Sequence, residues 1–225
     1  DIKQLALECS TKRMYPDLLM YDKIVEITGS FKTPMGCRSF LQGWQDENGR
    51  EVNSGRMNLG VVTVNLPRIA LESKGDIKLF WEIFEEKMQI CHTALEYRIK
   101  RTKEAKPENA PLLYMYGAFG KRLKKADSVD ELFKNGRATV SLGYIGLYEV
   151  CTRFFGNDWE QNPKAHDFAE SITKALNEKC RKWAKESGYH YSLYSTPAES
   201  LTDTFCRDDY EKFGSIPDIT AKEYY

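Results

Sequence analysis

The sequence predicts an α/β fold, and three observations carry that prediction. A nearly continuous β-branched run, "NLGVVTVNLP" at 58–67, has strand length and composition. From Asp76 onward, Ile77, Phe80, Phe84, Met88, Cys91, Leu95 and Ile99 recur at spacings of three and four, the stripe of a long amphipathic helix. Strand-like and helix-like stretches then alternate to the end of the chain, which is the order of an α/β protein.

Each element has its own signals. Residues 1–35 are mixed, with an extended candidate in "KIVEIT" closed by Gly29. Thr33, Pro34 and Gly36 favour a turn around Cys37. Asn48-Gly49 predicts a two-residue hairpin turn. The run at 58–67 reads as a strand covered on both faces and ended by Pro67. The helix from Asp76 is predicted to reach about Lys106, before Pro107 and Pro111 break it. "PLLYMYG" reads as a short buried strand, and "SVDELFKNG" as a short helix with a Ser128…Glu131 capping box and a stop at Gly136. "RATVSLGYIG" is a strand entering a turn, and "LYEVCTRFFG" a helix ended by Gly156. Pro163 to Ser187 is a long helix with Gly188 as its cap, "YHYSLYST" a strand, and Pro197 the start of another helix. No repeat, low-complexity stretch or linker divides residues 1–225, which read as one segment.

Composition narrows the function. Lys+Arg and Asp+Glu each number 33 in 225 residues, so the chain lacks the basic excess that nucleic acids and membrane surfaces demand of a partner. No stretch approaches the ~20 apolar residues of a membrane span. Without a signal core, the expected location is cytoplasmic. Both ends, "DIKQLALECS" and "ITAKEYY", read as the inside of a longer chain. The six cysteines at 9, 37, 91, 151, 180 and 206 form no C-x-x-C pair, so no metal site is expected within the segment, and each defaults to a small buried hydrophobe. His92, His166 and His190 match no ligand or triad spacing.

Two places can hold chemistry. Cys37 stands alone on the turn of "PMGCRSFL", where Arg38 next to it favours a thiolate; an inert thiol is the plainer alternative. In "SLYSTPAES", Thr196 fits an N-cap, Pro197 the first helical position and Glu199 the third. Ser195 and Thr196 hydroxyls beside free backbone N–H groups make a ready anion site, or simply a well-capped helix.

"PMGCRSFL", "DENG", "NLGVVTVNLPRIALE", "ELFKNGRATVSLGYIG" and "SLYSTPAESLTDTFCRDD", in this order, closely resemble the anaerobic, class III ribonucleoside-triphosphate reductases. The resemblance implies part of a ten-stranded α/β barrel of the glycyl-radical enzyme type, with a finger loop carrying Cys37 as the thiyl radical. It implies that Asn58 hydrogen-bonds the ribose hydroxyls, with ending the hairpin as its plainer role. It implies that Ser195 and Thr196 hold the substrate phosphates, with Glu199 a second-tier residue that a capping role also explains.

For the complete enzyme the resemblance implies formate as reductant, a glycyl radical, zinc, ATP and dNTP effectors, a radical-SAM activating enzyme and a homodimer. The family's N-terminal ATP cone and its C-terminal glycyl-radical and zinc domain have no counterpart in these residues, so this segment is expected to be inactive alone. A non-catalytic scaffold or split-gene piece acting by association is the runner-up. A formate-lyase relative would carry two adjacent cysteines where "MGCRS" has one.

Overall fold

Three strands in parallel frame the larger part of the molecule: β3 (Met57–Asn65), β4 (Ala138–Ile145) and β5 (His190–Ser195), in the order β3-β4-β5. The computed structural model describes residues 1–13, 18–32, 34, 41, 43–133, 136–197 and 199–225, the side chain of Glu199 excepted. These belong to two compact units, Asp1–Phe40 and Leu41–Tyr225.

The first unit holds α1 (Ile2–Arg13) and α2 (Tyr21–Thr28). The extended reading of "KIVEIT" is thereby corrected to a helix. Tyr21, Ile24, Val25 and Thr28 fall three and four apart, and that period outweighs the β propensity of isoleucine and valine. Gly29 does close the element, in the left-handed conformation with its N–H on the Val25 carbonyl at 2.8 Å.

In the second unit, β1 (Trp44–Gln45) and β2 (Glu51–Val52) pair as a hairpin. Its loop is longer than the predicted two residues: Asp46 N–H donates to the Arg50 carbonyl, and Gly49 takes a left-handed φ of 74°. The Asp46 carboxylate also receives the N–H groups of Asn48 and Arg50, which favours this three-residue loop.

β3 is only half-buried, and the strand buried on both faces is the central β4. Pro67 lies inside α3 (Leu66–Glu72), a helix the sequence reading missed, whose N-cap Asn65 accepts from Arg68 N–H. α4 (Ile77–Lys103) follows, opening at Asp76 as predicted with that residue as its N-cap, and buries Phe80, Phe84, Met88, Cys91, Leu95 and Ile99.

"PLLYMYG" is corrected as well: α5 (Pro111–Tyr114) is a single helical turn with Leu112 72% exposed. Pro111 at its first position is pre-set for a helix rather than a strand. At 129–132 a short 3-10 turn replaces the expected capping box. Ser128 accepts from Asp130 N–H, while Glu131 turns outward to Lys121.

α6 (Leu147–Phe155), α7 (Pro163–Ser187) and the glycine caps 156 and 188 stand where the sequence puts them. α8 (Glu199–Phe213) starts two residues later than Pro197. The main core lies between the sheet and the helix layer, with Val64, Val140, Leu142 and Tyr191 packed against Phe84, Leu95, Val150, Ile172 and Leu176. Among the described residues no helix is long and apolar enough to cross a membrane.

Candidate active site

Side chains alternate along a strand, so the residues between those core positions face away from the helix layer. On β4 these are Thr139, Ser141 and Gly143; register sets His190, Ser192 and Tyr194 of β5 beside them. On β3 the same face carries Asn58, Val61 and Thr63. Nearly all of these groups are polar or small.

Two hydrogen-bonded rows cross this face. In the first, Asn58 Nδ2 donates to Ser141 Oγ at 3.0 Å, and Ser141 Oγ lies 2.8 Å from Ser192 Oγ. A register shift between Asn58 and Val61 brings the amide level with Ser141. In the second, Thr63 Oγ1 and Thr196 Oγ1 pair at 3.1 Å above Gly143, where any β-carbon would collide with both hydroxyls. Ser141 and Gly143 are two residues apart, so the rows lie roughly 7 Å from each other.

The predicted site residues thus divide. Asn58 and Thr196 share one face of the sheet. Ser195 is the exposed last residue of β5 and, by alternation, points to the other side. Thr196 is not the N-cap: its N–H extends the ladder to the Tyr144 carbonyl at 3.1 Å, and its hydroxyl goes to Thr63. Glu199 opens α8. Cys37 and its turn lie outside the described residues. Ser141, Ser192, Thr63 and Gly143 were missed, although polar residues at every second position of 139–143 and 190–194 carried the signal.

The other thiols do not compete chemically. Burial pushes Cys91 and Cys151 up to about 11 and Cys180 up to about 12, so all three stay protonated at neutral pH. Cys206 is raised too, also by burial, with its Sγ 3.2 Å from the Lys222 carbonyl. Cys9 departs from the expected buried filler, since it is exposed on α1. All five described cysteines are free, and no group of three His, Cys, Asp or Glu side chains among the described residues is placed to hold a metal ion.

A parallel sheet backed by helices on one face, with an ordered polar surface on the other, defines an α/β protein that can present polar groups to a ligand. Comparison with known proteins gives the family. The profile of "Anaerobic ribonucleoside-triphosphate reductase" matches residues 1–225, and the chain belongs to that family. It is 52% identical over 226 residues to the anaerobic ribonucleoside-triphosphate reductase of Escherichia coli, covering all of this chain and 32% of that protein. It is 48% identical to the enzyme of Enterobacteria phage T4, covering 36% of it. The crystal structure of the anaerobic ribonucleotide reductase from Thermotoga maritima in complex with dATP and CTP superposes with a TM-score of 0.59 at 25% identity, over 82% of this chain and 29% of that one. The chain therefore spans about a third of the length of these relatives.

Proposed function

We propose that this chain is the catalytic-core segment of an anaerobic ribonucleoside-triphosphate reductase, working within a longer polypeptide as part of its ten-stranded α/β barrel. The observation that carries this reading is the polar face of the sheet, where Asn58 and Thr196 stand in rows two residues apart along β4 in a chain of this family. Three adjacent parallel strands with helical connections are what an arc of such a barrel requires.

In this reading Cys37 on the finger loop is the reacting group. As a thiyl radical its sulfur takes the 3′ hydrogen of the ribose: the S–H bond forms, the C3′–H bond breaks, and the unpaired electron passes to C3′. The 2′ hydroxyl then leaves with a proton as water. Formate, oxidised to carbon dioxide, supplies the two electrons, and Cys37 returns its hydrogen to C3′. Asn58 holds the ribose hydroxyls through this sequence. Thr196 binds the phosphates, with the backbone N–H groups at the start of α8 adding positive potential; Glu199 is a secondary member of that subsite, and Ser195, whose side chain faces the other side of the sheet, lends it only main chain.

The radical reaches Cys37 from a glycine outside this segment, and zinc belongs to the rest of the complete enzyme in the same reading. ATP and dNTP effectors, a radical-SAM activating enzyme, a homodimeric assembly and a cytoplasmic setting complete the proposal; dATP and CTP in the Thermotoga maritima complex are consistent with nucleotide substrates and effectors.

The test is Cys37→Ser in the full-length reductase. An O–H group is a poor replacement for S–H in hydrogen-atom transfer, so turnover is expected to vanish while the melting temperature stays unchanged. A serine variant running near the parent rate would overturn the assignment.

A further inference from the structure

We propose that Ser141 and Ser192 are positioning residues that hold the Asn58 carboxamide in a single orientation towards the ribose; this rests on the reading of Asn58 as the ribose ligand. The orientation follows from hydrogen-bond chemistry. Gly60 N–H lies 2.9 Å from one terminal atom of the Asn58 side chain and can only donate, so that atom must be the oxygen. The other is then the NH2 group, which donates to Ser141 Oγ.

Ser141 Oγ also pairs with Ser192 Oγ, 2.8 Å away on the next strand, and either hydroxyl can donate. The row thus runs Asn58, Ser141, Ser192 across all three strands, each bond polarising the next. Ser141 is fully buried, so water does not stand in for a missing partner. Gly60 serves the same end from the other side. Its φ of 137° is open to glycine alone, and a β-carbon there would also meet Arg98 Nη1 at 2.7 Å.

With both inner positions occupied, the amide edge keeps one N–H and one carbonyl lone pair. A donor beside an acceptor complements the two neighbouring hydroxyls of a ribose, one accepting while the other donates. Without Ser141 the NH2 end loses its partner, and the Gly60 N–H alone is left to tell the two ends apart. A flipped amide would present the wrong group to each hydroxyl.

The experiment is a double-mutant cycle on kcat and KM in the full-length reductase, with melting temperatures alongside. Asn58→Ala is expected to lower kcat ~10²–10³-fold. Ser141→Ala is expected to lower kcat roughly five- to ten-fold at nearly constant KM and melting temperature. The double variant is expected to be no slower than Asn58→Ala alone, because the serine acts only through the amide. Ser192→Ala should give a smaller loss, about two-fold, that also disappears in the Asn58→Ala background. Should Ser141→Ala fail to fold, the Ser192→Ala arm decides.

A serine effect that multiplies undiminished in the Asn58→Ala background would overturn the proposal. So would Ser141→Ala at the parent rate beside a crippled Asn58→Ala. If Asn58→Ala itself ran near the parent rate, the reading of Asn58 would fall first.

Discussion

The two faces of the β3–β4–β5 sheet are made by the same strands, yet they are held together in different ways. Towards the helices, Val64, Val140, Leu142 and Tyr191 enter one continuous apolar core. On the opposite face, Asn58, Ser141, Ser192, Thr63 and Thr196 are joined pairwise by directional bonds. Dispersion and hydrophobic burial tolerate small shifts of shape, whereas a hydrogen bond weakens steeply with angle. The first face therefore stores stability and the second stores geometry. β4 is buried on both faces, and its alternation separates the two duties residue by residue.

Substitution should separate them as well. Leu142→Ala, on the fully buried apolar side, is expected to cost about 2–5 kcal/mol of unfolding free energy while leaving turnover per folded molecule near the parent value. Asn58→Ala is expected to do the reverse, with ~10²–10³ lost in turnover and little change in melting temperature. Denaturant titration and steady-state kinetics on the two full-length variants would decide; matched losses of stability and activity in either one would break the contrast.

Gly143→Ala probes the polar face where it is tightest, since the new methyl would press on the Thr63 and Thr196 hydroxyls together. Overpacking of this kind costs about 1–3 kcal/mol. Affinity for a ribonucleoside triphosphate is expected to fall more than affinity for the bare nucleoside, as Thr196 is displaced. Equal affinities in calorimetric binding would reduce the threonine pair to packing.

The smallest effect belongs to the helix layer and is one of pH. Cys91, Cys151 and Cys180 titrate at about 11, 11 and 12 when folded, against 9.0 when free of the fold, because burial disfavours the thiolate. The folded state thus holds these protons more tightly. Their contribution is fully present below about pH 8 and is lost as pH rises through 9 towards 11–12. Melting temperature should fall over that window, and iodoacetamide at pH 8 should label Cys9 while sparing all three. Labelling of Cys180 in the folded protein would contradict its burial.

Most of this layer was legible where one period ran unbroken for several turns. The stripe from Phe80 to Ile99, the helix from Pro163 to Gly188 and the three parallel strands needed only local spacing and caps. Reading failed where a short run satisfied two periods: "KIVEIT" and "PLLYMYG" are apolar enough for strands, yet both are helical. Asn58 was found through resemblance, but its partners were not. Ser141 lies 83 residues away and Ser192 a further 51. Nothing local marks a serine within a strand as a hydrogen-bond partner until register sets the strands side by side. The same holds for Thr196, whose fit to a helix cap is good locally but loses to a hydroxyl 133 residues away.

Asp209 on α8 gives this arrangement a mechanical consequence. Its side chain is entirely buried and receives Asn65 Nδ2 at 2.9 Å, the Arg68 guanidinium and the Tyr225 hydroxyl at 2.7 Å. Withdrawing the partners of such a carboxylate costs about 3–5 kcal/mol, so α8 is tethered to the exit of β3 and cannot slide by a turn. Upstream, Thr196 is tied to β4 through the Tyr144 carbonyl. Three Cα steps of about 3.8 Å lead from Thr196 to the start of α8. Two separate anchors, Thr196 on β4 and Asp209 at the exit of β3, therefore fasten the chain on either side of the start of α8 to one sheet, as two rivets fix a plate that one would leave free to turn.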